Sequence, residues 1–288
     1  MKKTVFWALP LAASLALTGC SGLLGPTPSS TVQADPQATM TASASSEAQE
    51  PTKNESDSGF RDSDSDDEGN GFGTTDGAAS TGAQLSADEL FQVAQAVESY
   101  YQGGGVEIVG DSALKASATK LAGLVGEIEV DPAACEGYAT SSSNGMLSHM
   151  NMVEVNLPAD SNAEGNRISI GSFDDPGSLD EVLAIDKLEP VNCATYALKL
   201  KGREVDAQVD EGQANTDAAT TLAITGAGTV KATADGKDVG KVTKTVTVTG
   251  YDGVNKVAVD VKNPRDADAA VKKAEEYINL VLLHIEGS

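Results

Sequence analysis

Thr243-Lys244-Thr245-Val246-Thr247-Val248-Thr249-Gly250-Tyr251-Asp252-Gly253-Val254-Asn255-Lys256-Val257-Ala258-Val259-Asp260-Val261-Lys262 is the stretch on which the fold turns. Val246 and Val248 alternate with threonine, and Val257, Val259 and Val261 alternate with alanine, aspartate and lysine. A period of two is the mark of a half-buried strand. Asp252-Gly253 between two such runs is a strong hairpin signal. Threonine on the face opposite the valines suits an antiparallel sheet with one open side. Upstream, Tyr196, Leu198 and Leu200 alternate with polar neighbours, as do Val205, Ala207 and Val209. A further run spans Thr220 to Ile224, and Asp235-Gly236 marks a second hairpin. Thr195 to Lys262 is therefore expected to be a continuous β meander.

Helical spacing flanks this meander. Downstream, Asn263-Pro264 with Asp266 and Asp268 reads as a helix start: a cap, a proline at the first position and acids in the first turn. Val271, Ala274, Ile278, Val281 and Ile285 then keep the helical period, and this helix of about six turns is expected to lie across the sheet. Upstream, Ser86 and Glu89 form a capping box, with Leu85 placed to staple onto Leu90. Leu90, Val93, Ala94, Val97 and Tyr101 share one helical face, ended by Gly103-Gly104-Gly105. A second helix starts at Asp111 or Ser112 and carries Leu114, Ala118, Leu121 and Val125. Gly137 to Gly145 reads as a loop. A strand follows from Ser148 to Leu157, with Val153, Val155 and Leu157 set against Glu154 and Asn156. A second strand covers Arg167 to Ser172. Asp175-Pro176, or Ser178 with Glu181, opens a helix bearing Leu179, Val182, Leu183 and Leu188, which Pro190 is expected to stop. Strands grouped beside helices define an α+β class: a twisted antiparallel sheet flanked by helices, over residues 85–288.

The N-terminal 84 residues follow other rules. Residues 1–19 have a basic start (Lys2, Lys3), an apolar centre and small residues at the end, the layout of a secretory signal. The apolar centre is short for a bilayer span. Leu17-Thr18-Gly19-Cys20 resembles the lipobox of bacterial lipoproteins. That resemblance implies cleavage before Cys20, diacylglycerol on its sulfur, and retention on the outer face of the cell membrane. Each buried methylene adds about 0.8 kcal/mol, so two acyl chains hold far better than one. Residues 20–84 are rich in Ser, Thr, Ala, Gly, Pro, Asp and Glu and nearly empty of large apolar side chains. Such a segment buries too little surface to offset its ordering entropy and reads as a lipidated disordered linker. Its r.m.s. span is roughly 45 Å. Asp62 to Glu68 mimics a calcium loop, but Asp67 stands where glycine is needed and Gly73 where the closing glutamate belongs, so no metal is expected.

Charge and cysteine content narrow the function. The formal net charge is -23, and loss of Lys2 and Lys3 takes it to -25. Nucleic-acid binding rests on lysine and arginine neutralising phosphates, so no nucleic-acid partner is expected. Anionic lipid heads are repelled as well, leaving the lipid anchor to hold the membrane. With Cys20 acylated, Cys135 and Cys193 remain as an even pair in an oxidising setting. They are read as a disulfide or, alternatively, as two buried thiols; nothing nearby completes a metal site. The two histidines, His149 at a strand start and His284 near the end of the last helix, are read as structural. Asp174-Asp175 suits helix capping better than acid–base work. No serine sits in a nucleophile elbow. Phe91 and Phe173 with six scattered tyrosines offer no aromatic platform for sugar, and Trp7 lies in the signal. No catalytic residue and no cofactor are assigned.

Asp131-Pro132-Ala133-Ala134-Cys135 after two helices, Pro190-Val191-Asn192-Cys193 after a helix, then a meander, and Asn263-Pro264 opening the last helix form a pattern of their own. This order resembles the extracellular sensor-type domains of actinobacterial surface lipoproteins, related to the PknH kinase sensor domain, over about residues 85–288. The resemblance implies a twisted sheet flanked by helices, a Cys135–Cys193 disulfide and a cleft for an unknown extracellular ligand. The aromatic that members often carry just before the second cysteine is absent, as are a second disulfide and a kinase domain. The expected function is a non-enzymatic, membrane-anchored envelope lipoprotein presenting a domain that binds an extracellular ligand or envelope protein. A carrier of a hydrophobic lipid ligand in an apolar cavity between sheet and helices, and an Asp/Glu-dependent envelope hydrolase, are the alternatives.

Overall fold

A computed structural model describes residues 82–101, 104–140, 149–234 and 236–287, with the side chains of 121–125 and 140 left aside. The signal, Cys20, the acidic run 62–68, the Ser/Gly stretch 141–148 and Asp235 lie outside the described residues. In chain order the elements are α1 (Ala87–Tyr100), β1 (Glu107–Val109), α2 (Asp111–Val125), β2 (Glu129–Asp131), a short 3-10 turn (Ala133–Cys135), α3 (Glu136–Thr140), β3 (Met150–Leu157), β4 (Gly165–Phe173), α4 (Pro176–Asn192), β5 (Thr195–Leu200), β6 (Arg203–Glu211), β7 (Thr220–Ala232), β8 (Val242–Asp252), β9 (Asn255–Lys262) and α5 (Ala267–Glu286). The strands form one antiparallel sheet in the order β1-β3-β4-β9-β8-β7-β6-β5-β2. This is the α+β class expected, with helices on both faces.

The valines of the β8–β9 hairpin decide what lies on the first face. Val246 and Val248 pair with Val261 and Val259, and Ile168 and Ile170 of β4 continue the row. α1 and α5 close over them, burying Leu90, Val93, Val97, Ala274, Ile278 and Val281. Gly250 lets α5 approach: a Cβ there would stand 2.8 Å from Ile278 Cγ2. Between the sheet and the last helix the buried side chains form one continuous apolar cluster. The second face carries two apolar clusters. Leu114 of α2 and Leu179 and Val182 of α4 cover Met150, Met152, Phe173 and Tyr251. Cys135, Ala139 and Cys193 cover Tyr196, Leu198, Ala207, Val209 and Ile224.

Several local expectations need correction. Asp252 pairs with Asn255, so the two-residue turn is Gly253-Val254, with Gly253 at φ 57. Glycine at the first central position is the preference of one of the two hairpin turn types. The β7–β8 link is a nine-residue loop, 233–241, rather than a tight turn, and β7 runs on to Ala232 through Gly226 and Gly228, which blur the strand pattern. α5 is capped by Asp266, whose carboxylate accepts from Ala269 N–H at 3.1 Å; Asn263 instead accepts from Lys244 N–H. Pro190 does not stop α4, which reaches Asn192. So close to the C-terminus a proline removes a single helical hydrogen bond, and Cys193 N–H still reaches Glu189 O at 2.8 Å. The loop expected from Gly137 begins as α3. Strands β1 and β2, three residues each, were not foreseen.

Candidate functional site

Polar side chains gather beneath α4, where the helix crosses the second face between its two apolar clusters. Asp186 is the centre. Its Oδ2 accepts from the Tyr251 hydroxyl and from Lys256 Nζ, the latter at 2.5 Å. Lys256 Nζ also stands 5.5 Å from the centre of the Tyr251 ring. One turn on, Glu189 is 3 % exposed and accepts from the Tyr196 hydroxyl at 3.3 Å. Burial pushes the Glu189 carboxyl up to about 7, with the Asp186 charge adding to the rise. Burial and these same carboxylates hold the Tyr196 and Tyr251 hydroxyls protonated, well above the usual tyrosine range.

A cleft of about 370 Å³ opens beside this centre. One wall is α4, through Asp186, Lys187 and Pro190; the other is the end of β6 and the start of β7, from Glu211 to Ala214 and from Thr221 to Ile224. The chain itself explains the opening. β6 and β7 run together as far as the bond from Gly212 N–H to Ala223 O, 2.8 Å. Residues 213–219 then leave the sheet and are held to α5, where Glu275 accepts from Asn215 N–H at 2.7 Å and Asn279 from Asp217 N–H at 2.9 Å. Small Ala218 packs where it would lie 3.0 Å from a Cβ on Gly250. The strand pair splits, and α4 covers only part of the gap.

A second buried charge centre sits on the same face, across β3, β4 and β9. Glu154 is fully buried, and its Oε1 accepts from Asn156 Nδ2 at 2.8 Å, while Oε2 has no partner among the described residues. Asp260 accepts from Arg167 Nε at 2.9 Å and from the Thr247 hydroxyl at 2.5 Å. Burial pushes Glu154 up to about 7 against the pull of Arg167. The sequence set Glu154 on the polar side of its strand; that side is covered as well, which the alternation of β3 alone does not reveal.

Cys135 and Cys193 are joined, 5.7 Å apart between Cα atoms. His149 Nδ1 lies 2.9 Å from Asp174 Oδ2 in an exposed pair, which raises the imidazole pKa. Asp175 caps α4 through Ser178 N–H at 3.0 Å. His284 stands in the last turn of α5. None of these lines the cleft. Asp186, Glu189, Tyr196, Tyr251 and Lys256 were not singled out from sequence. The available signal was a carboxylate pair three residues apart on a helix that is apolar on both sides of it. Among the described residues no group of three or more His, Cys, Asp or Glu is placed to hold a metal ion, and no helix is long and apolar enough to cross a membrane.

No family model and no curated protein matches the chain. Solved structures do match it, two of which follow. The chain matches an uncharacterised protein from Mycobacterium smegmatis at 15% identity and a TM-score of 0.38, over 69% of this chain and 97% of that one. It matches the extracellular domain of PknH from Mycobacterium tuberculosis at 11% identity and a TM-score of 0.43, over 71% and 98%.

Proposed function

We propose that this chain is a lipid-anchored envelope protein without catalytic activity, whose sensor-like domain binds an extracellular ligand in the cleft between α4 and β7. Cys20 carries the lipid, and residues 20–84 are the tether that lifts the domain off the outer face of the membrane. The observation that carries the binding reading is the cleft itself, an opening of about 370 Å³ with mixed walls in a sheet whose other face packs against α1 and α5. Pockets with a few polar groups among apolar ones are the ordinary form of ligand sites. The hydrolase alternative asks for two carboxylates converging on a cleft. Asp186 and Glu211 line this one from opposite walls, but Asp186 is engaged by the Tyr251 hydroxyl and Lys256 Nζ, which favours binding over hydrolysis.

Two measurements test the proposal. Cys20→Ser is expected to release the protein to the medium; unchanged membrane retention removes the anchor. A low-molecular-weight envelope extract is expected to shift the amide signals of Gln213, Leu222 and Ala223 in the full chain and to leave them unmoved in Ala214→Trp, which fills the cleft. Shifts that persist in that variant move the ligand elsewhere.

A further inference from the structure

The two edges of β7 are not equally satisfied. Val230 N–H donates to Lys241 O at 3.0 Å and Val230 O accepts from Gly240 N–H at 2.8 Å, both toward β8, and β7 pairs with β8 from Thr220 to Thr229 without a break in register. Main-chain groups of a strand alternate in direction, so the even residues of β7 face β8 and the odd ones face β6. Ala223 O, taking the last rung from Gly212 N–H, obeys this. Thr221 lies two residues earlier and points the same way, into the gap that β6 has left. Its hydroxyl meets Thr216 Oγ1 at 2.6 Å, but its N–H and C=O on that side have no partner among the described residues, and Thr221 lines the cleft. An unpaired strand edge recruits extended chain. Glu211 is exposed at the end of β6, lines the same cleft and has no ion-pair partner among the described residues.

We propose that the ligand is an extended, basic polypeptide segment of another protein, which adds a rung to the β7 edge at Thr221 and sets a cationic side chain against Glu211. This rests on the reading of the cleft as the ligand site and names the ligand's class. The net charge of -23 draws a basic partner from a distance. Main-chain bonds supply the register, and the strip from Leu222 to Ile224 with Pro190 receives the alternate apolar side chains.

The test uses the full chain and a pentapeptide of alternating valine and lysine, capped at both ends, with two derivatives N-methylated in alternate frames. One frame removes the N–H groups that face Thr221 and the other removes those that face solvent. Binding by fluorescence anisotropy is expected to weaken about fivefold or more in the first frame and to hold in the second, the size of one net hydrogen bond. The Thr221 amide is expected to exchange rapidly in the free chain and slowly in the complex, and Glu211→Gln to weaken the lysine peptide. Equal binding by both methylated frames, or a Thr221 amide already protected without peptide, overturns the proposal. If no peptide binds while the envelope extract still moves the cleft signals in an Ala214→Trp-sensitive way, the polypeptide class falls and the cleft stands as a site for another ligand.

Discussion

Among the described residues Glu154 has no salt bridge to set against its burial. Arg167 is engaged by Asp260, and one carboxyl oxygen of Glu154 has no partner among the described residues. A carboxyl in this position binds its proton more tightly in the folded chain, at about 7, than at the ordinary glutamate value of 4.5. The contribution of a raised carboxyl is fully present below about pH 4.5 and is lost as the pH climbs through 7, at about 3 kcal/mol for the whole interval. Glu189 acts in the same sense over the same interval. Denaturant unfolding of Glu154→Gln is therefore expected to match the native chain near pH 4.5 and to gain on it steadily up to pH 7, Asp260 still holding Arg167. Parallel stability curves for the two proteins from pH 4.5 to 8 would show that Glu154 does not titrate as argued.

Two glycines separate packing from mere proximity. A Cβ at Gly171 would come to 2.2 Å from Met150 Cε, the tip of a long flexible side chain that can swing away. At Gly250 it would meet Ile278 Cγ2 at 2.8 Å and Ala218 Cβ at 3.0 Å, a stiff branched side chain on α5 and the loop that opens the cleft. Gly250→Ala is expected to cost about 1–3 kcal/mol in denaturant unfolding and Gly171→Ala clearly less, despite the closer approach. The reverse order would mean that α5 is not firmly seated. These elements also mark what the residues disclosed in advance. The β8–β9 alternation and the Ser86–Glu89 box are local signals, and both elements formed where local chemistry put them. β1 and β2 are three-residue edges that exist only because β3 and β5 offer unpaired rungs, so their own residues carry no pattern. The cleft was least legible of all. It depends on Gly212, Ala218 and Gly250 drawing one loop to α5, and on which side of α4 faces the sheet, relations that no single stretch contains.

At the scale of the molecule the sheet has one closed face and one divided one. The first face is a continuous valine and isoleucine core under α1 and α5, whereas the second is split into two clusters with the polar centres between them. The disulfide stands in the cluster around Tyr196 and Leu198 and ties the turn before α3 to the C-terminal end of α4, the helix that walls the cleft. Closing a 58-residue separation removes chain entropy worth about 4 kcal/mol in the unfolded state, a model-dependent figure. The double replacement Cys135→Ala with Cys193→Ala is expected to lower stability by about that amount while the first face persists. Its consequence is local as well as global. The end of α4 has Pro190 in place of one helical bond, exposes Leu188 and Val191, and rests on few buried side chains besides Glu189. Without the cystine, hydrogen exchange is expected to release the amides from Asp186 to Asn192 well before those of β8 and β9, and binding in the cleft to fail while the core is still folded. Release of α4 and the β8–β9 hairpin together, in a single step, would mean that the cystine holds the whole molecule rather than one wall of its site.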